Sequence, residues 1–306
     1  MRGMTDISSN TNPDISSNIN TNHASGSHSN STSDSPSNSP SPLRPRVLSI
    51  AGTDPTGGAG AQADLKSIMA AGGYGMSVIT ALVAQNTQGV REIHTPPLDF
   101  LRAQLDCVFE DVAVDAVKIG MLGDTATIQA VRDYLQKHHV TTVLDPVAVA
   151  SSGDRLLTAD AEDALRDFAA ASSVVTPNLP ELALLTNTDL ASSEQEAVEI
   201  ATQWAAKTDT TVIVKLGHLA GSEAGNIAVA PSGTTHKVSS PRVETKNTHG
   251  TGCSLSSALA TRLGAGDSLE QALEWSTKWL NEAIANADKL LVGKGHGPVD
   301  HSVRLF

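Results

Sequence analysis

From Arg44 onward the chain alternates short apolar runs with amphipathic stretches of helical length. The runs RVLSIAG, MSVITALV, VDAVKIG, TTVLDP, SSVVTPN, TVIVKLG and NIAVAP have the length and β-branched content of buried strands. Strand–helix alternation predicts a mostly parallel sheet with helices on both faces and right-handed crossovers. NIAVAP and THKVSSP are separated by Ser232-Gly233, which reads as a hairpin and makes one sheet edge antiparallel. Leu255, Leu259 and Leu263 recur four apart after a glycine-rich start, as on one face of a helix. In SLEQALEWSTKWLNEAIANA, Ser268 reads as a cap with an acidic Glu270 two positions on. The stripe of Leu269, Ala272, Trp275 and Trp279 is expected in the core rather than against a cofactor. Residues 44–306 show no internal repeat and no linker, so one domain is expected.

Residues 1–43 differ. They are rich in Ser and Asn with scattered Pro and hold almost nothing apolar to bury, so a disordered extension is expected. They lack the arginines of a transit peptide and the apolar core of a secretory signal. No apolar run is long enough to span a bilayer. A cytoplasmic chain with no membrane partner is the expectation.

Composition narrows the class. The chain is 40% hydrophobic but only 3% aromatic, so its core must rest on Ala, Val, Leu and Ile. A formal charge of −12 argues against a nucleic-acid partner, because phosphate-backbone contacts need Lys and Arg. A small phosphorylated ligand stays open, since one helix N-terminus and one lysine can hold it. Two cysteines far apart suggest neither a disulfide framework nor a zinc cluster. Cys107, inside the amphipathic FLRAQLDCVFEDV, is expected to pack in the core.

In open parallel sheets, ligands bind beyond the carboxyl ends of the strands. Polar residues and glycines gather at those places here: Thr53 to Gly60, Ala84 to Thr87, Met121-Leu122, Asp145-Pro146, Pro177 to Glu181, and Gly217-His218. Neither glycine loop has Walker A or dinucleotide spacing. Asn247 to Cys253 leads straight into a helix, whose free N–H groups suit an anion; the alternative is a tight turn for close packing. Cys253 falls in the first turn, where the helix dipole is expected to lower its pKa toward a usable base; the alternative is a small packing residue. Asp145 and Glu181 could hold Mg²⁺, mostly through water, or form a turn and a helix cap. Lys215 ends an apolar strand and needs a phosphate or carboxylate partner there.

The strings SIAGTDPTGGAGAQADLKSIMAAGGYGMSVITALVAQNTQGV, KIGMLGD, VLDPV, SGDRLL, TPNLPE, KLGHL and KNTHGTGCSLSSALA together resemble the hydroxymethylpyrimidine/phosphomethylpyrimidine kinases of the ribokinase-like superfamily. The similarity runs roughly from Arg46 to Pro298. It implies an α/β fold of three α-β-α layers, ATP and Mg²⁺ as cosubstrates, and a small-molecule pyrimidine as partner. The implied reaction phosphorylates 4-amino-5-hydroxymethyl-2-methylpyrimidine and then its monophosphate, giving the diphosphate used for thiamine. The implied substrate side is Gln85, Asp64, Ala59, Gly52, Val83, Met121 and Val147, with the Gln85 amide reading the aminopyrimidine edge. The implied anion hole is Gly250, Thr251, Gly252 and Cys253, with Cys253 also as base where sugar-kinase relatives carry an aspartate. Asn178, Lys215 and Thr248 fall on the ATP side, and Asp145 and Glu181 on the metal side. A homodimer is also implied.

Three positions depart from the family's pattern: Ala148 replaces a methionine, Ser151 a lysine or threonine, and Leu216 a glycine. They bear on the balance between the two phosphorylation steps. The rival readings are a pyridoxal or pyridoxine kinase of the same superfamily and a non-catalytic pyrimidine-binding protein.

Overall fold

Alternate residues along each strand divide between two cores, which fixes a three-layer arrangement. The structure is a computed structural model that describes residues 44–149, 156–217, 219 and 221–305. The expected extension 1–43, together with Ser151 and His218, lies outside the described residues. In chain order the elements are β1 Arg46–Ala51, α1 Gly60–Ala70, β2 Tyr74–Ile79, β3 Leu82–Asn86, β4 Gly89–His94, α2 Leu98–Phe109, β5 Ala116–Ile119, α3 Thr125–Leu135 and β6 Thr141–Leu144. They continue with α4 Glu162–Ala169, β7 Val174–Val175, α5 Leu179–Thr186, α6 Glu194–Thr208, β8 Thr211–Lys215, β9 Glu223–Val229, β10 Thr235–Pro241, α7 Thr251–Gly264 and α8 Leu269–Asn286.

One sheet has the order β10-β9-β8-β7-β6-β5-β1-β2. From β2 through β8 every pairing is parallel; β9 runs antiparallel to β8, and β10 to β9. Side chains of a strand point alternately to opposite faces. Leu48, Leu144, Val175, Val212 and Ile227 join one core with residues of α2 to α6. Their neighbours Val47, Val143, Val174, Ile213 and Ala228 join the other with Ile68, Leu259 and Leu273 of α1, α7 and α8. The order turns back between β1 and β5, so the rim there opens into a crevice.

The predicted edge hairpin is β9–β10, closed over residues 230–234 with Gly233 at φ +83°. On α8, Ser268 caps as expected, but its capping box closes through Gln271, while Glu270 accepts the Ser268 hydroxyl. Trp279 is fully buried and Trp275 stacks on it.

Two expectations are corrected. MSVITALV is not one strand: β2 ends at Ile79, and Leu82 begins β3, which pairs with β4 in a separate two-stranded sheet. The break is tied down because Thr80 donates its N–H to Ala51 and its hydroxyl to the Met121 carbonyl, while Ala81 accepts from Thr53. Cys107 is exposed rather than buried, because Leu101 and Leu105 take the inner face of α2.

Candidate active site

A cleft of about 810 Å³ opens along the carboxyl ends of the parallel strands. Gly52, Val83, Gln85, Met121 and Val147 line it beside β1 and β3. Gly225, Asn226, Val243, Leu280 and Ile284 line it beside β9, β10 and α8. Two glycine loops and two lysines lie between these groups.

The first loop is organised by Asp54, which is fully buried. Its carboxylate accepts the Thr56 N–H and hydroxyl at 2.9 and 2.7 Å, the Gly58 and Ala59 N–H groups at 3.1 and 2.8 Å, and His249 Nε2 at 2.8 Å. Burial works to raise its pKa, but the hydrogen bonds from His249 and Thr56 prevail and hold it at about 2. Asp54 is therefore a carboxylate, and His249 Nε2 is the donor. The second loop ends at Gly250, whose φ of +79° starts α7. No side chain caps this end, which leaves first-turn amides open to the cleft that Thr251, Gly252 and Cys253 line. Ser254 donates its hydroxyl to the Gly250 carbonyl at 2.7 Å, so His301 Nε2, 2.9 Å from Ser254 Oγ, must donate to that hydroxyl oxygen.

Lys215 at the end of β8 meets carboxylates. Its ammonium lies 2.8 Å from Asp145 Oδ1 and 3.2 Å from Glu181 Oε2. Burial opposes its charge, but the two carboxylates raise its pKa and keep it cationic. Glu181 also closes a capping box with Asn178 at the start of α5, with both bonds at 2.8 Å. Burial, together with Asp145, pushes the Glu181 pKa up despite Lys215. Among the described residues no group of three or more His, Cys, Asp or Glu could enclose a metal ion. Asp145 and Glu181 both border the cleft, and two carboxylates suit Mg²⁺, which keeps several waters and takes few protein ligands beside phosphates.

Every site residue named from the sequence borders this cleft except Asp64. Asp64 is fully buried on α1, where its carboxylate faces the sheet; it accepts Lys118 at 2.7 and 2.9 Å, Ser49 at 2.6 Å and Ser257 at 2.8 Å. With all four hydrogen bonds coming from three side chains inside the protein it has no reach to a ligand in the cleft. The residue that borders the cleft is its partner Lys118, which the sequence reading passed over. The signal was present: a lysine in the middle of VDAVKIG is costly to bury unless paired. His249 was likewise passed over as one letter of the glycine string.

The expected lowering of the Cys253 pKa is corrected. Burial raises the thiol to about 11, and the Asp64 and Asp145 carboxylates add to that rise. Lys118 and the Gly60 N–H, which donates to the sulfur, pull the other way and lose. A helix start lowers a thiol pKa when water or cations share the site; here desolvation is larger. Cys253 rests as the thiol.

The break between β2 and β3 also shapes the site. A register shift between Ala84 and Gln85 in the β3–β4 pair re-aims Gln85, which donates its amide to the Thr53 carbonyl at 3.3 Å. One N–H is spent on orientation; the oxygen and the second N–H remain for a ligand edge. Of the departures, Ala148 borders the cleft and Leu216 is buried.

Comparison with known proteins gives one picture. The family described as phosphomethylpyrimidine kinase matches residues 54–300. The thiamine biosynthesis multifunctional protein ThiED of Corynebacterium efficiens is 60% identical over 259 residues, 84% of this chain. The chain spans only 35% of that relative's length. The hydroxymethylpyrimidine/phosphomethylpyrimidine kinase of Salmonella typhimurium is 48% identical over 260 residues, covering 84% of this chain and 97% of that protein. The ADP complex of Bacillus subtilis pyridoxal kinase superposes with a TM-score of 0.78 at 29% identity, covering 85% of this chain and 98% of that one.

Proposed function

The chain belongs to the phosphomethylpyrimidine kinase family, and from that premise we propose that it moves the γ-phosphoryl group of ATP onto 4-amino-5-hydroxymethyl-2-methylpyrimidine and then onto the monophosphate so formed. The observation that carries this reading is one cleft bordered by an oriented amide, Gln85, by an uncapped helix start at Gly250, and by the cation Lys215. A flat ring with an alcohol arm fits the first, and a triphosphate fits the other two.

Phosphoryl transfer asks a protein for positioning and charge neutralisation more than for covalent chemistry. Gln85 reads the amino edge of the ring, and Gly52, Ala59, Val83, Met121 and Val147 enclose its faces. Gly252 and Cys253 offer backbone N–H groups to the oxygens of the transferring group, while the Thr251 N–H closes the turn on the Thr248 carbonyl. Lys215, Asn178 and Thr248 lie toward the nucleotide's phosphates. Asp145 and Glu181 would hold Mg²⁺, mostly through water; when bound, the ion neutralises phosphate charge. Cys253 takes the alcohol proton. Because its resting form is the thiol, the active thiolate is a minor form near neutral pH. The Ala148 departure widens the wall of the cleft and bears on the second step, whose substrate carries a phosphate. A cytoplasmic homodimer completes the proposal; no helix among the described residues is long and apolar enough to cross a membrane.

The pyridoxal reading draws on the superposition with the Bacillus subtilis enzyme, whose name carries that substrate. Gln85 favours the aminopyrimidine, since the amide matches a donor next to a ring nitrogen. An ADP-release assay over the pyrimidine, its monophosphate, pyridoxal and pyridoxine separates the readings. The proposal expects the first two to be used at least tenfold better by kcat/KM. Binding of the pyrimidine without ADP release would mark a non-catalytic binding protein.

A further inference from the structure

Lys118 stands at a central position of β5, between Val117 and Ile119, and its side chain is fully buried. The neighbours point into the α2–α6 core, so Lys118 points to the opposite face, toward α1 and α7. There its ammonium contacts both oxygens of Asp64. That carboxylate is itself fixed by hydroxyls from two further elements, Ser49 of β1 and Ser257 of α7. A buried ion pair is weak evidence for stability, because well-packed apolar side chains of similar volume often do as well. This one also places Lys118 on the border of the cleft. Gly120 keeps that border open: a β-carbon there would stand 2.8 Å from Lys118 Nζ. The third ammonium N–H has no acceptor among the described residues.

Cys253 borders the same space, one turn of α7 before Ser257, whose hydroxyl holds the Asp64 carboxylate that clamps Lys118. The charges that act on it are Lys118 from β5, Asp64 from α1 and Asp145 after β6, joined by the Gly60 N–H at the start of α1. Lys215 lies beside the preceding residue, 3.4 Å from where a Gly252 β-carbon would stand, but is engaged by Asp145 and Glu181.

Given Cys253 as proton acceptor, we propose that Lys118 is a positioning residue of the transfer: its ammonium, clamped on Asp64, is the fixed positive charge that holds the Cys253 thiolate while the alcohol gives up its proton. The proton passes from the substrate oxygen to sulfur as that oxygen bonds phosphorus and ADP departs. Lys118 neither gains nor loses a proton. This accounts for a lysine at a strand centre where burial works against it.

Two readouts separate this role from the substrate assignment. The rate of Cys253 alkylation by iodoacetamide, in a Cys107→Ser background, reports the thiolate without any turnover. The double variant Lys118→Met/Asp64→Asn removes both buried charges at nearly constant volume. It should alkylate about twofold more slowly or worse at pH 8, the loss of the opposing Asp64 charge offsetting part of the effect, and lose kcat by a similar factor with the ATP KM within about threefold. Gly120→Ala keeps every charge but pushes the ammonium aside, and serves if the double variant does not fold. It should slow alkylation in the same direction. Wild-type alkylation rates in whichever of these variants folds would overturn the proposal, whatever substrate the enzyme takes. Slowed alkylation with unchanged kcat would overturn the catalytic part.

Discussion

The carbonyl oxygen of Gly58 occupies the place where a β-carbon on Gly250 would stand. The two glycine loops are thus in backbone contact, although one follows β1 and the other precedes α7. The 2.8 Å bond from His249 to Asp54 fastens them. The loop that follows β1 and the uncapped helix start therefore form one piece, and Cys253 lies where α1 and α7 both begin.

That contact makes Gly250→Ala a sharp probe. Alanine would face both a positive φ of 79° and a backbone obstacle that cannot rotate away. The conformational part alone costs roughly 1–2 kcal/mol. We expect a lower thermal midpoint and at least tenfold slower ADP release, measured on the same preparation. A variant with wild-type turnover would dissociate the loop from the chemistry.

Cys253→Ala should retain pyrimidine binding by calorimetry and lose turnover by roughly a hundredfold or more, the usual scale for a general base. The wild-type profile should also carry a signature. With a thiol pKa of about 11, kcat/KM should climb with pH across the neutral and mildly alkaline range, by up to roughly tenfold per unit. A plateau from pH 7 upward would assign the proton to another acceptor.

Gln85→Leu should raise the KM for the pyrimidine by roughly ten- to a hundredfold, the range for losing hydrogen bonds at a buried polar edge. The KM for ATP should hold, because the residue borders the other end of the cleft. Equal damage to both constants would point to a collapsed β3–β4 hairpin instead.

His301 supplies a pH dependence of stability. Burial, with Lys66 nearby, lowers its pKa from 6.5 to about 4 in the folded chain, against a small opposing pull from Asp300. The unfolded chain takes up the proton first as pH falls below 6.5, so unfolding is favoured there. The stability of the neutral folded form is complete above 6.5 and is lost by about 3 kcal/mol as pH drops toward 4. Urea unfolding at pH 7 and pH 4.5 should show most of that loss, and His301→Gln should flatten it. Asp54 acts lower on the scale: its depressed pKa adds stability above about 4 that fades as pH falls toward 2.

What was legible in the sequence was what repeats with a period. The strands of the main sheet, the β9–β10 hairpin and the stripe ending at Trp279 follow from alternation and helical spacing. The rim of the sheet could be placed because chain polarity puts Gly52, Asp145, Asn178 and Lys215 at strand ends. Burial and pairing were not legible. Thr80 interrupts an apolar run only because Ala51 and Met121 lie opposite, distant in sequence. Asp64 and Lys118 are 54 positions apart, so a one-dimensional reading could assign the carboxylate to a ligand and overlook the lysine. The thiol of Cys253 was judged by its helix, whereas desolvation by its surroundings decides it. Cys107 was judged by its amphipathic neighbourhood, though Leu101 and Leu105 already supply the inner face of α2.

Product analysis by mass spectrometry offers the most direct test of the central claim. With ATP, Mg²⁺ and 4-amino-5-hydroxymethyl-2-methylpyrimidine, the chain should produce the monophosphate first and then the diphosphate, with one ADP released for each addition. Neither phosphorylated pyrimidine appearing while pyridoxal is converted under the same conditions would contradict it.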